Sequence, residues 1–188
     1  VRFDWAEMMR ILNGLLCVLA AFFLAGCVTV PSEVLVPNQV GLAQAIVALD
    51  PAVAPEEAAR VAQISYSYSL QLREEYNVTD GPLLHNAKVN QGLRPRGLCW
   101  QWADDLEARL WQEDLKTLTL HRAIANHDNI RIEHSTVVIS AKGDSMAEGI
   151  VLDSWRYGGR LYWSEVVEDN RYNWEERAKV FALKKARQ

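Results

Sequence analysis

Cysteine is scarce in this chain. Cys17, Cys27 and Cys99 are the only three in 188 residues, and so small and odd a number cannot build a disulfide framework. Positive charge has no excess either: 20 Lys and Arg stand against 24 Asp and Glu, a net charge of −4. With no basic surplus to release counterions, a nucleic acid is not an expected partner. Internal repeats and low-complexity tracts are absent. A composition of 49% hydrophobic and 23% charged residues excludes wholesale disorder, a collagen-like repeat and a polytopic membrane protein.

The one long apolar run is Ile11–Val30, which carries no charge and follows Arg10. A positive residue, an apolar stretch and then small residues is the layout of a secretory signal. A permanent transmembrane helix is the other reading, but Asn13, Gly14 and Pro31 shorten the span below the about twenty residues it needs. Leu24-Ala25-Gly26-Cys27 resembles the bacterial lipobox, whose cysteine receives a diacylglycerol and becomes the first residue after cleavage. The resemblance implies a signal peptide over 1–26, with Met8 or Met9 giving a more compact start. It also implies a lipidated Cys27 and a membrane tether over 27–38, where Pro31 and Pro37 break any helical period. Val28, rather than Asp, after the lipidated position implies outer-membrane sorting, facing the periplasm, in a Gram-negative host. The protein is then expected in the cell envelope, anchored to a membrane rather than spanning it.

Residues 39–188 are long enough for one domain with a core. A short helix is expected over 41–50. A longer one follows over 55–76, where Pro55-Glu56-Glu57 opens it and Ala58, Val61, Ile64, Tyr68 and Leu72 recur at helical steps. Residues 80–97, rich in Gly, Pro and Asn, read as a long loop. A second amphipathic helix is expected over 98–118, with Cys99, Trp102, Ala103, Leu106 and Leu110 on one face. Strands are expected at 130–140, 149–155 and 159–166, with a turn at Lys142–Ser145, and EERAKVFALKKARQ closes as a helix. The expected fold class is α+β, with helices packed against a small antiparallel sheet.

Cys99 is the one thiol left once Cys17 is removed and Cys27 is lipidated. At the first turn of a helix the free backbone N–H groups and the dipole favour a thiolate; by residue type alone it would be a small buried hydrophobe. Arg94 and Arg96 stand just upstream. A nucleophilic thiol needs a base, and the base an orienting group. His134 and Asp153 lie on the first two expected strands, and a hairpin turning at Gly143-Asp144 lays them side by side.

Gly97-Leu98-Cys99-Trp100-Gln101-Trp102-Ala103 resembles the G-x-C-W-x-F-A helix start of transglutaminases and papain-like cysteine peptidases. Glu133-His134-Ser135-Thr136 resembles their histidine strand, and Leu152-Asp153-Ser154-Trp155 their third motif. The order Cys, His, Asp is that of the superfamily, and the resemblance covers roughly 90–165. It implies a transglutaminase-like core in which Cys99, His134 and Asp153 form a catalytic triad for acyl transfer, with no cofactor and no metal. Peptides, proteins or peptidoglycan stems are the implied substrates. Where papain-like enzymes carry an oxyanion-hole Gln, this chain has Leu93, with Asn90 and Gln91 nearby but off register. Trp100, Trp155 and Trp163 are the aromatic residues expected beside the site, Trp100 and Trp155 as substrate contacts. His85 is an alternative partner for Cys99. His121 and His127 match no common zinc spacing and read as surface histidines. The rival reading is a non-catalytic envelope lipoprotein that keeps such a fold as a protein-binding module.

Overall fold

A computed structural model describes residues 38–129 and 132–187. The expected signal segment, Cys17, Cys27 and all but the last residue of the tether lie outside these. Among the described residues, five α-helices and five strands make an α+β fold with one antiparallel sheet. No helix among them is long and apolar enough to cross a membrane.

Helix α1 (Gln39–Val47) is capped by Asn38, whose Oδ1 accepts the Gly41 amide at 2.9 Å, and it buries Leu42 and Ile46. Helix α2 (Pro55–Glu75) starts on a proline and buries Ala58, Val61, Ala62, Ile64 and Leu72. Its Glu57 does more than answer the dipole. The carboxylate accepts the backbone amides of Lys116 (2.7 Å) and Thr117 (2.9 Å) and the Thr117 hydroxyl (2.7 Å), which ties α2 to the sheet.

The expected long loop at 80–97 is in part helix, α3 (Pro82–Asn90). The residues that suggested a loop are its two ends. Pro82 sits at the first helical turn, where no N–H is needed. Gly92, at φ 74°, closes the other end, with Gly92 N–H donating to Val89 O and Leu93 N–H to Lys88 O. The second amphipathic helix, α4 (Cys99–Trp111), is shorter than the expected 98–118. Lys116 and Thr117 give their amides to Glu57, and from Leu118 the chain runs as strand β1 (Leu118–Ala125), which the sequence pattern did not single out.

Strand β2 (His134–Ala141) is buried along its whole length. It is followed by β3 (Ile150–Tyr157), β4 (Arg160–Glu165) and the two-residue β5 (Glu175–Glu176), which leads into helix α5 (Arg177–Ala186). The spatial order is β4-β3-β2-β1-β5. One face of the sheet (Leu118, Val137, Ile139, Ile150, Leu152) packs with α1, α2 and α4 in the main core. The other face (Ala123, Ala125, Val138, Val151) packs with Met146 and Trp174.

The β2–β3 register differs from the expected one. Val137 opposes Leu152 and Ile139 opposes Ile150, so the register carried outward puts Thr136, not His134, level with Asp153. The cause is the turn, which holds a 3₁₀ helix (Met146–Glu148) capped by Ser145 and Glu148. A shift of two residues keeps every side chain on its face. His134 and Asp153 therefore still share the face away from the helices.

Candidate active site

Cys99 is the first residue of α4, and the turn before it is tightly held. Gly97 has φ 127°, and a Cβ there would lie 2.3 Å from His85 Nε2. Gln101 Oε1 accepts the amides of Gly97 (2.8 Å) and Leu98 (3.0 Å), and Trp102 Nε1 donates to Gly97 O at 3.0 Å. Cys99 is half-buried, packed against the cluster of Leu72, Tyr76, Val78, Trp102 and Trp155, and its thiol donates to Glu133 O at 3.6 Å. As the opening residue of the helix, Cys99 has an amide with no acceptor inside it.

His134, the first residue of β2, is buried among Trp155 and Tyr172 (ring centroids 4.7 Å each) and Trp174 (5.4 Å). Its Nε2 donates to Asp153 Oδ2 at 2.7 Å. Its Nδ1 is buried with no hydrogen-bond partner among the described residues. Burial pulls the imidazole toward the neutral form. The Asp153 carboxylate, by charge and hydrogen bond, and then the neighbouring Cys99 sulfur outweigh it and lift the pKa to about 9.

Asp153 is 1% exposed and saturated with donors. Oδ1 accepts the amides of Trp155 (3.1 Å) and Arg156 (3.0 Å), and Oδ2 accepts Arg156 Nε (2.9 Å) beside the imidazole. Burial pushes its pKa up, but His134 and then Arg156 hold it down to about 2. Arg156 runs on to Asp169, with Nη1 at 3.1 Å from Oδ1 and Nη2 at 2.6 Å from Oδ2, and Trp174 Nε1 also donates to Asp169 at 2.9 Å. The guanidinium stacks over the rings of Tyr162 (3.7 Å) and Tyr172 (4.7 Å).

The other expected site residues divide. Trp155 is buried against His134, and its Nε1 donates to Asn86 Oδ1 at 3.0 Å. Trp100 is 48% exposed. Trp163 is elsewhere, half-buried against the main core, donating to Tyr66 Oη. Asn90 and Gln91 are exposed at the end of α3, and no side-chain hydrogen bond joins them to the group around Cys99. The α3 residue that does touch the site's wall is Asn86. Neither arginine upstream of Cys99 serves the thiol: Arg96 is bidentate to Asp105, and Arg94 donates to backbone carbonyls of Asn77 and Leu93.

His85 lies on α3, buried, and donates from Nε2 to Arg96 O at 2.9 Å. His121 is not a surface residue: it bridges Ser140 Oγ (2.8 Å) and Glu176 Oε1 (3.1 Å) between β2 and β5. His127 pairs with Asp128 at 3.4 Å. Among the described residues no cluster of three or more His, Cys, Asp or Glu is arranged to hold a metal ion.

Sequence reasoning missed Arg156, Asp169, Tyr172 and Trp174. Arg156 offered one signal, an opposite charge three residues after Asp153; the others come from a stretch with no motif. No protein-family model, no curated protein and no solved structure matches this chain.

Proposed function

We propose that this protein is a cysteine hydrolase or acyltransferase acting on peptide-type amide bonds, built on a transglutaminase-like, papain-like core. The observation that carries the reading is the polarity of His134. One ring nitrogen is fixed on Asp153 at 2.7 Å, the other, Nδ1, is left unpaired, and Cys99 is close enough to the imidazole to raise its pKa. That is what a base serving a nucleophile requires.

The imidazole, which keeps its proton up to about pH 9, holds on Nδ1 the proton that Cys99 has given up, and the thiolate adds to the amide carbonyl carbon. The carbonyl oxygen becomes an oxyanion within reach of the free Cys99 amide. On α3 it is Asn86, holding Trp155 through its Oδ1, and not Asn90 or Gln91, that stands beside the site's wall. As the C–N bond breaks, the imidazolium returns its proton to the leaving amine and an acyl thioester remains. Water then releases an acid, or a second amine takes the acyl group, and the thiol is restored. Asp153 stays ionised and fixes the ring throughout.

Leu24–Cys27 supports a lipid-anchored location in the cell envelope, where peptides, proteins and peptidoglycan stems are the accessible substrates. The rival, a non-catalytic binding module, has one observation in its favour: the thiol donates to a backbone carbonyl rather than to the imidazole. Iodoacetamide separates the two. An ordinary thiol is only a few per cent thiolate near pH 7, so an activated Cys99 should label about tenfold faster or more. His134→Ala should abolish that advantage. Slow labelling indifferent to His134→Ala would leave the binding module.

A further inference from the structure

We propose that Arg156 and Asp169 are positioning residues that act on His134 through Asp153: Asp169 anchors the guanidinium, and Arg156 both fixes the Asp153 carboxylate and opposes the charge on the imidazole. The inference rests on the catalytic reading above, but its test does not need a substrate.

The geometry is specific. Arg156 Nε and His134 Nε2 donate to the same oxygen, Asp153 Oδ2, at 2.9 and 2.7 Å. Two cationic groups are thereby brought to one atom. The terminal nitrogens of Arg156 are committed to Asp169, which is itself 6% exposed and held by Trp174 Nε1 and the Arg171 amide. A guanidinium serves two carboxylates at once with a rigid fork; an ammonium carries the same charge without the fork. The tyrosine rings over the guanidinium fix its plane.

The charges facing His134 can be named element by element. From β3 come Asp153 and, behind it, Arg156; from the stretch after β4 come Asp169 and the Tyr172 ring; from α4 comes Cys99. Next to His134 in the chain, Glu133 is paired with Lys184 of α5. Trp155 and Trp174 complete the enclosure without charge. Two buried carboxylates thus face two buried cations when His134 is protonated. Removing Arg156 leaves both carboxylates to the imidazole alone, which then holds its proton to higher pH. Removing the charge of Asp169 leaves two cations on one carboxylate, and the imidazole releases its proton at lower pH.

The experiment is an NMR titration of the His134 imidazole in the full chain, with Arg156→Gln, Arg156→Lys and Asp169→Asn. Arg156→Gln should raise the midpoint and Asp169→Asn lower it, each by about one pH unit. Arg156→Lys should leave the midpoint near that of the unaltered protein. Opposite movements are the signature, because simple loosening of the pocket would move both variants the same way, toward an exposed histidine. Midpoints that shift together, or not at all, overturn the proposal. If Arg156→Gln does not fold, as read by circular dichroism, Asp169→Asn decides: a midpoint that rises or stays put overturns it. Repeating the titration with Cys99→Ser separates this inference from the catalytic one. Opposite shifts without rapid Cys99 labelling would keep the positioning pair and remove the enzyme.

Discussion

The His134–Asp153 pair should make the stability of this protein depend on pH in a direction that can be worked out. Folding lifts the imidazole from 6.5 to about 9. A group that binds its proton more tightly in the folded state contributes its full stabilisation below the unfolded value and loses it as the pH rises through the folded one. At 1.36 kcal/mol per pKa unit the difference amounts to about 3 kcal/mol, lost between about pH 6.5 and 9. Asp153 describes the same interaction from the acid side. Its pKa, lowered from 3.8 to about 2, gives stabilisation present above the unfolded value and lost as the pH falls through the folded one. The two contributions belong to one pair and do not add. Asp153→Asn is the matching perturbation. It keeps an oxygen for the amides of Trp155 and Arg156 but sets an NH₂ where Oδ2 accepted from His134. Urea unfolding followed by circular dichroism at about pH 6.5 and 9.5 should show the unaltered protein losing about 3 kcal/mol, and the variant, although less stable, losing little. Equal stability at both pH values in the unaltered protein, or an equal fall in Asp153→Asn, refutes the reasoning.

Two further outcomes are expected. Glu57→Ala removes the acceptor for two amides and a hydroxyl at the start of β1, and should cost about 2–4 kcal/mol in urea unfolding; a loss of only a few tenths would mean water replaces the carboxylate without penalty. Cys27→Ser should release the protein from membranes into the soluble fraction after cell disruption; continued pelleting would support a retained apolar helix instead.

How much of this was legible in the sequence varied with the range of the forces involved. α2 announces itself because its apolar residues recur at helical steps over about four turns, and the buried face expected for α4, including Trp102, Ala103, Leu106 and Leu110, is the one that packs. α3 was hidden because Pro82 and Gly92 act as end signals for a helix too short to show a period. β1 was hidden by its neighbour: α4 ends at Trp111, Asp114 turns left-handed at φ 50°, and the amides of Lys116 and Thr117 then go to Glu57, far away in the chain. At the site, His134 and Asp153 could be put on one face because a strand alternates with period two, and this survives a register error of two residues. Residue-by-residue spacing has no such protection, so Asn90 and Gln91 were named while Asn86, one turn earlier on the same helix, holds Trp155. Arg156 and Asp169 depend on where a stretch without regular structure folds back, which no local pattern encodes.

The residues that close over His134 also set an order of assembly. Tyr172 and Trp174, with the Asp169 that anchors Arg156, follow β4 and come well after Cys99 and His134 in the chain. A polypeptide is synthesised from its N-terminus, and contacts between distant residues form late because their loops are costly to close. Cys99 therefore emerges long before His134 is enclosed. Until the last strand docks beside β1, Cys99 is a cysteine in a partly folded chain, without a fixed partner. On the proposed catalytic reading, an activated thiol would exist only in the finished fold, and the growing chain would be spared its attack.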